Sequence, residues 1–240
     1  MSYAFFIDTT LCTGCRACQV ACKQWHDLPA EETLNRGTHQ NPPDLSDRTY
    51  KVVRMNEVVI ENKLRWLFFP EQCRHCIEAP CLEAAGEPTA IYRDDATGAI
   101  LYTAETRHLA ADDIIAACPY NVPRKGPDGV LYKCDMCIDR VRNGLQPACV
   151  QTCTAGAMHF GKRESILATA EERLAKVRKQ FPKASLADAD DVTVIYLLAF
   201  DPMQYHENAI ASSEFQGISR HMALRRMIRP FSRAVAGLSG

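Results

Sequence analysis

Long apolar runs are missing from this sequence. The longest, Val192 to Phe200, covers nine residues with Thr193 and Tyr196 inside it, where a membrane helix needs about 20. A buried strand is expected there, and no membrane span. Net charge is nearly missing as well, at -1 over 240 residues, so the chain as a whole has no pull toward nucleic acid or anionic lipid. No basic stripe runs among its cysteines, which argues against a nucleic-acid-binding module. The opening Met1-Ser-Tyr-Ala-Phe-Phe-Ile-Asp8 lacks the basic start, long apolar stretch and cleavage site of a secretory leader; a chain that does not export itself is expected. No catalytic triad, glycine-rich phosphate loop or HExxH pair occurs, so the usual machinery of acyl transfer, nucleotide binding and metallohydrolysis is absent.

What the sequence has is cysteine. Twelve stand in an otherwise ordinary globular composition of 47% hydrophobic and 24% charged residues, a length that suits one or two domains. They fall into groups: Cys12, Cys15, Cys18 and Cys22 in CTGCRACQVAC; Cys73, Cys76 and Cys81 in CRHCIEAPC; Cys118 alone before Pro119; and Cys134 and Cys137 in CDMC, followed by Cys149 and Cys153 in CVQTC. Twelve divides into three sets of four. The first group has the ferredoxin spacing, in which three close thiolates take three corners of a 4Fe-4S cube and the fourth cysteine of the run ligates the other cluster of a pair. Structural zinc also uses four-cysteine sets, but seldom a third cysteine so soon after a CxxC. Disulfides need an oxidising compartment, and cysteines three apart on a loop are poorly placed to bridge.

Around the cysteines the patterning indicates mixed α and β structure. Tyr3 to Asp8 is strand-like, and residues 27 to 49, with NPPD at Asn41 to Asp44, read as a surface loop. Residues 50 to 69 form a hairpin turning near Glu61-Asn62, and residues 90 to 103 a second one turning over Asp94 to Gly98. Leu167, Ala170, Leu174, Val177 and Phe181 recur at helical steps over Glu164 to Phe181, with Pro182 as the stop. The tail from Ser219 to Arg233 carries five arginines and no acid, which suits a solvated end or a segment docking on a partner. Trp25, Trp66, Phe68 and Phe69 are expected to pack as core near the cysteines. Arg16, Lys23, Arg74 and Lys133 flank them and are candidates for offsetting cluster charge.

FFPEQCRHC, AACPYNVPR, KCDMCIDR and GLQPACVQTC resemble the four-motif ferredoxin-type electron-transfer subunits of molybdopterin oxidoreductases, over roughly residues 3 to 162. Members carry sixteen cysteines and four clusters, with motif one paired to motif four and motif two to motif three. On that pattern motif two should continue with Cys-Pro where this chain has Ala85-Gly86, and motif three should have cysteines at His108, Ala111 and Ile114. All four missing ligands belong to one cluster, which scattered loss would rarely produce. Ile114 and Ile115 are expected to fill that place, with His108 an ordinary surface or capping residue.

The resemblance thus implies three 4Fe-4S clusters. Cluster one takes Cys12, Cys15, Cys18 and Cys153; cluster two takes Cys134, Cys137, Cys149 and Cys22; cluster three takes Cys73, Cys76, Cys81 and Cys118. It implies an α+β fold of two ferredoxin-like lobes with pseudo-twofold motif pairing: residues 1-65 with 125-165 holding two clusters, residues 66-124 holding one, and residues 166-240 adding a C-terminal helix, strand and basic tail. With ACKQWHDLPAEET and THQNPPDL, the likeness is nearest to the small subunit of soluble tungsten- or molybdenum-containing formate dehydrogenases. A non-catalytic wire is implied, in a heterodimer with a large metal-pterin catalytic subunit, an acceptor such as a cytochrome c, and a periplasmic home reached through the partner's twin-arginine signal. A cytoplasmic complex, and the same role beside a polysulfide, nitrate or dimethyl sulfoxide reductase, are the alternatives.

Overall fold

The computed structural model describes residues 2 to 211. The basic tail at Ser219 to Arg233 lies outside the described residues. Strand β1 (Tyr3–Asp8) is buried along nearly its whole length and leads through the first cysteine loop into helix α1 (Ala17–Trp25). A long connection without helix or strand follows, as its proline- and polar-rich composition predicts. Strands β2 (Val52–Ile60) and β3 (Lys63–Glu71) then pair antiparallel, Val52 against Glu71 through Ile60 against Lys63. Their turn residues Glu61 and Asn62 both have positive φ, 52° and 60°, the geometry of a two-residue turn matched to strand twist.

Helix α2 (Pro80–Ala85), the short hairpin β4 (Ile91–Arg93) with β5 (Ile100–Tyr102), and helix α3 (Ala111–Ala116) make up the middle of the chain. After them come β6 (Arg124–Lys125), β7 (Leu131–Tyr132), α4 (Ile138–Arg142) and α5 (Ala148–Gln151). Strand β8 (Met158–Lys162), helix α6 (Arg163–Val177), β9 (Ser185–Ala187) and β10 (Val194–Leu198) complete the order. The 15-residue α6 stops at Val177, one turn before the expected Phe181, because a tight turn carries the chain through Phe181 into Pro182.

One four-stranded sheet, in the order β8-β1-β10-β9, organises the molecule. Strand β10 runs parallel to β1, Phe5 against Val194 through Asp8 against Leu197, and is buried at every position, as the apolar run predicts. One face of the sheet packs on α6 through Ala4, Phe6, Leu197, Ile166, Ala170 and Val177. The other meets Phe69, Val53, Cys18 and Cys149. The C-terminal helix and strands are therefore not an appendage: β10 fills the middle of the sheet that β1 begins. The expected boundary at 65/66 falls inside β3, whose cross-strand bonds to β2 hold both sides of it together.

Candidate metal-cluster sites

All twelve cysteines are free thiols. Three CxxC loops present them with the same backbone device. The third residue of each, Gly14, His75 and Met136, has a positive φ of 67°, 46° and 68°, a conformation that costs a non-glycine residue energy and persists only where the surroundings impose it. That turn swings the residue's own N–H back onto the first sulfur. His75 N–H meets Cys73 Sγ at 3.4 Å and Met136 N–H meets Cys134 Sγ at 3.4 Å; the backbone of Gly14 likewise favours an anionic Cys12. A loop of inward amides suits an anionic sulfur far better than a neutral thiol.

The sulfurs gather by electrostatic neighbourhood. Cys12 feels Cys153 and Cys15, and Cys18 feels Cys149, Cys12 and Cys153. Cys22, although it follows Cys18 closely in sequence, feels Cys149 and Cys137, and Cys134 feels Cys22 and Cys137. Cys76 feels Cys73, Cys118 and Cys81, and one cavity is lined by Cys73, Cys76, Cys81 and Cys118 together. Burial first, and the neighbouring sulfurs after it, push the thiols of Cys12, Cys18, Cys22, Cys76 and Cys134 up, Cys18 to about 12. Cys118 also reaches about 12 through burial, although backbone N–H groups, among them that of Val122, pull the other way. Cys15 alone is exposed.

Three buried cations stand against these sulfurs: Lys51 at 2%, Arg74 at 2% and Lys133 at 7% exposure. None has a carboxylate partner among the described residues. Lys51 Nζ donates to Gln72 Oε1 and to Pro70 O at 3.4 Å. Burial opposes its charge, yet the sulfurs of Cys149 and Cys18 lift it above the usual lysine range. Arg74 lies among the rings of Phe69, Tyr120 and Tyr196, 4.0 Å from the centroid of the last. Lys133 Nζ donates to Ile100 O at 2.5 Å and Cys134 O at 3.0 Å. Three donors beside the second cysteine group are buried with no hydrogen-bond partner: Gln72 Nε2, His75 Nε2 and Tyr102 Oη. Since Nδ1 of His75 accepts from Ile100 N–H at 3.0 Å, its Nε2 carries the hydrogen. Buried cations without anions and buried donors without acceptors are both costly. Both would be answered by anionic, sulfide-bearing clusters, so the residues present fit the group.

Of the flanking cations expected from the sequence, Arg74 and Lys133 are buried at the sites. Arg16 and Lys23 instead bond loop carbonyls, Arg16 to His39 O at 3.2 Å and Lys23 to Arg48 O at 2.6 Å. Phe69 is fully buried as expected, but Trp25 and Trp66 are 43% and 60% exposed, which corrects their placement as core. Trp25 spans Asp139, to which it donates at 2.9 Å, and Arg140; Trp66 stands on the outer half of the hairpin. Sequence reasoning missed Lys51, Tyr102 and His26, whose Nε2 lies 3.5 Å from Cys137 Sγ and 3.3 Å from Asp135. Their places follow from long-range packing, for which the local sequence carries no signal.

The segment where the resemblance leads one to expect further cysteines is packed shut. Ile114 and Ala111 are buried with Ile91, Ile100, Ala79 and Leu131, and Ile115, Leu82 and Ala85 close the edge. Gly86, standing where the family pattern has proline, ends α2 in the left-handed conformation at φ 59°. His108 is exposed at the end of a short 3-10 turn.

Residues 64–163 match a 4Fe-4S dicluster domain family. The formate dehydrogenase subunit beta of Megalodesulfovibrio gigas is 54% identical over 215 residues, covering 88% of this chain and all of that one. The formate dehydrogenase 2 subunit beta (cytochrome c-553) of Nitratidesulfovibrio vulgaris is 51% identical over 216 residues, 87% of this chain and 99% of that one. The formate dehydrogenase-O iron-sulfur subunit of Escherichia coli is 40% identical over 210 residues, 85% of this chain and 69% of that one.

Proposed function

Because the chain belongs to the family of formate dehydrogenase iron-sulfur (beta) subunits, we propose that it wires a metal-pterin catalytic subunit to an external electron acceptor through three 4Fe-4S clusters. It is an electron-transfer subunit and not the catalytic one. The ligand sets are Cys12, Cys15, Cys18 and Cys153; Cys22, Cys134, Cys137 and Cys149; and Cys73, Cys76, Cys81 and Cys118. The observation that carries this reading is the mutual neighbourhood of the sulfurs, above all Cys22 turning from its own motif toward Cys149 and Cys137. Bound clusters supply one-electron transfer; the chain's part is to hold them close, keep water out and balance their charge. Lys51, Arg74 and Lys133 balance it. Cys149 feels Cys153 and Cys134 feels Cys73, which supports a row running from site one through site two to site three.

We assign sites one and two to one lobe and site three to the other, with the division after β3. The catalytic subunit meets site one. Cys15 is exposed there, and Phe68, which presses on Gly14, shares a hairpin face with Trp66, Leu64 and Val59, all three of them exposed. A cytochrome c is the acceptor at the other end, in keeping with the printed name of the N. vulgaris relative. The complex is periplasmic, exported folded on the partner's twin-arginine signal. The test is purification of the native complex. About twelve irons in this subunit, a tungsten or molybdenum partner, and cytochrome reduction dependent on formate support the reading. Loss of one reduced-cluster resonance in Cys118→Ala supports the third ligand set, and loss of all three from a folded chain contradicts it. Fractionation of the intact cell tests the compartment.

A further inference from the structure

Tyr102 closes the short strand β5, and its hydroxyl is buried with no oxygen or nitrogen to accept its hydrogen. It lines the same cavity as Cys73, Cys76, Cys81 and Cys118. The polar group that the hydroxyl faces is the Cys81 sulfur. Lys133 comes to the same place. Its Nζ sits 4.5 Å from the Tyr102 ring centroid, held by Ile100 O and Cys134 O, and its charge favours an anionic Cys81. The backbone N–H of Leu82 addresses Cys81 as well.

On the reading that these four cysteines hold a cluster, we propose that Tyr102 is a positioning residue that sets the potential of the third centre by donating its phenolic hydrogen to Cys81 Sγ. A neutral thiol is a weak acceptor, and the hydroxyl stays unsatisfied against it. A cluster thiolate is anionic and becomes more so on reduction, so a hydrogen fixed on it favours the reduced state and raises the potential. Tyr102 and Lys133 act on one corner from one side, the hydroxyl as a directed donor and the ammonium as an undirected charge. The reaction chemistry is untouched: no bond in a substrate is made or broken here, and Tyr102 keeps its proton.

The experiment uses the whole native complex, wild type and Tyr102→Phe, with iron analysis and an electron paramagnetic resonance titration of the reduced clusters. The signal absent from Cys118→Ala identifies site three. Tyr102→Phe should keep its full iron. At fixed ambient potential its site-three signal should show a roughly tenfold lower reduced-to-oxidised ratio, about 59 mV for one electron. The other two signals should not move. In wild type after exchange into deuterium oxide, the reduced site-three signal should show coupling to an exchangeable deuteron that Tyr102→Phe lacks. An unchanged midpoint at full iron overturns the proposal, and so does loss of iron from that site in Tyr102→Phe, which would mark a purely structural role. Absence of that deuteron coupling in wild type overturns it without any variant. If Cys118→Ala removes no signal at all, it is the ligand reading that fails, and the two failures are separable.

Discussion

The ammonium of Lys51 lies buried beside the sulfur of Cys149, with no carboxylate to balance it. Each group is unfavourable without the other charged. In the unloaded protein the cation faces thiols and donates to Gln72 Oε1 and Pro70 O, so replacing it by an apolar side chain of similar length removes a desolvated charge and two hydrogen bonds together, and the two effects offset. In the loaded protein the same change strips the balance from an anionic centre and should cost about 3–5 kcal/mol. Lys51→Met should therefore cost markedly more stability in the loaded form than in the unloaded one. Denaturant titrations of iron-free and iron-loaded protein check it, and equal effects in both would show that Lys51 does not answer the sulfurs.

Ile114 is 1% exposed among Ile91, Ile100 and Leu131. Ile114→Ala should cost about 2–5 kcal/mol through lost burial and the cavity left behind. Iron content should stay at the wild-type value, because the residue fills space and holds no metal. Unfolding midpoints with an iron assay separate the two effects.

Gly14 has a φ of +67°, and a Cβ there would stand 2.5 Å from Cε1 of Phe68. Gly14→Ala must either unwind the turn between Cys12 and Cys15 or push Phe68 out of the hairpin face. About one third of the iron should be lost, with the other two reduced-cluster signals intact, since Cys15 sits on the moved segment. Retention of all iron would mean the loop adapts by another route.

Asp44 ties the long loop to two distant strands through Arg54 and Arg124, the latter at 2.7 Å. Burial raises the carboxyl's affinity for its proton, but the bonds to Arg124 and Arg54 outweigh this and hold the group below the usual carboxylate range. A carboxyl depressed in the folded state contributes stability that is fully present above its unfolded value of about 3.9 and is lost as the pH falls through the folded value. Asp44→Asn should thus be less stable than wild type near neutrality, and the gap should close on acidification below pH 4. Paired stability measurements across that range test the sign. A gap that widens toward acid refutes the assignment.

Much of the architecture was legible because it is written locally. Alternation gave both hairpins, Glu61-Asn62 gave the turn, and the spacing of the cysteines gave the loops. The apolar packing of Ile114 was legible too, because isoleucine stands where a ligand would be polar. What could not be read was everything that depends on distant partners. Lys51 looks like any strand-opening lysine until β2 brings it under Cys149. Tyr102 looks like a hairpin residue until α2 delivers Cys81 beside it. Trp66 stands exposed because an aromatic residue in an alternating strand is equally at home on either face, and only the tertiary packing decides which face is covered.

One of the two inner strands of the sheet, β10, comes from near the end of the described chain. Thr193 N–H and Val194 N–H both bind Arg74 O at 3.1 Å, and Ile77 N–H binds Asp191 O at 2.7 Å, so the loop between Cys73 and Cys76 is seated on residues made more than a hundred positions later. A ribosome that has released Cys73, Cys76, Cys81 and even Cys118 has not yet released the floor they rest on. Shaping of that cysteine loop consequently waits for residues 191 to 194, and a nascent chain arrested before Asp191 should emerge able to offer these cysteines but not a shaped loop.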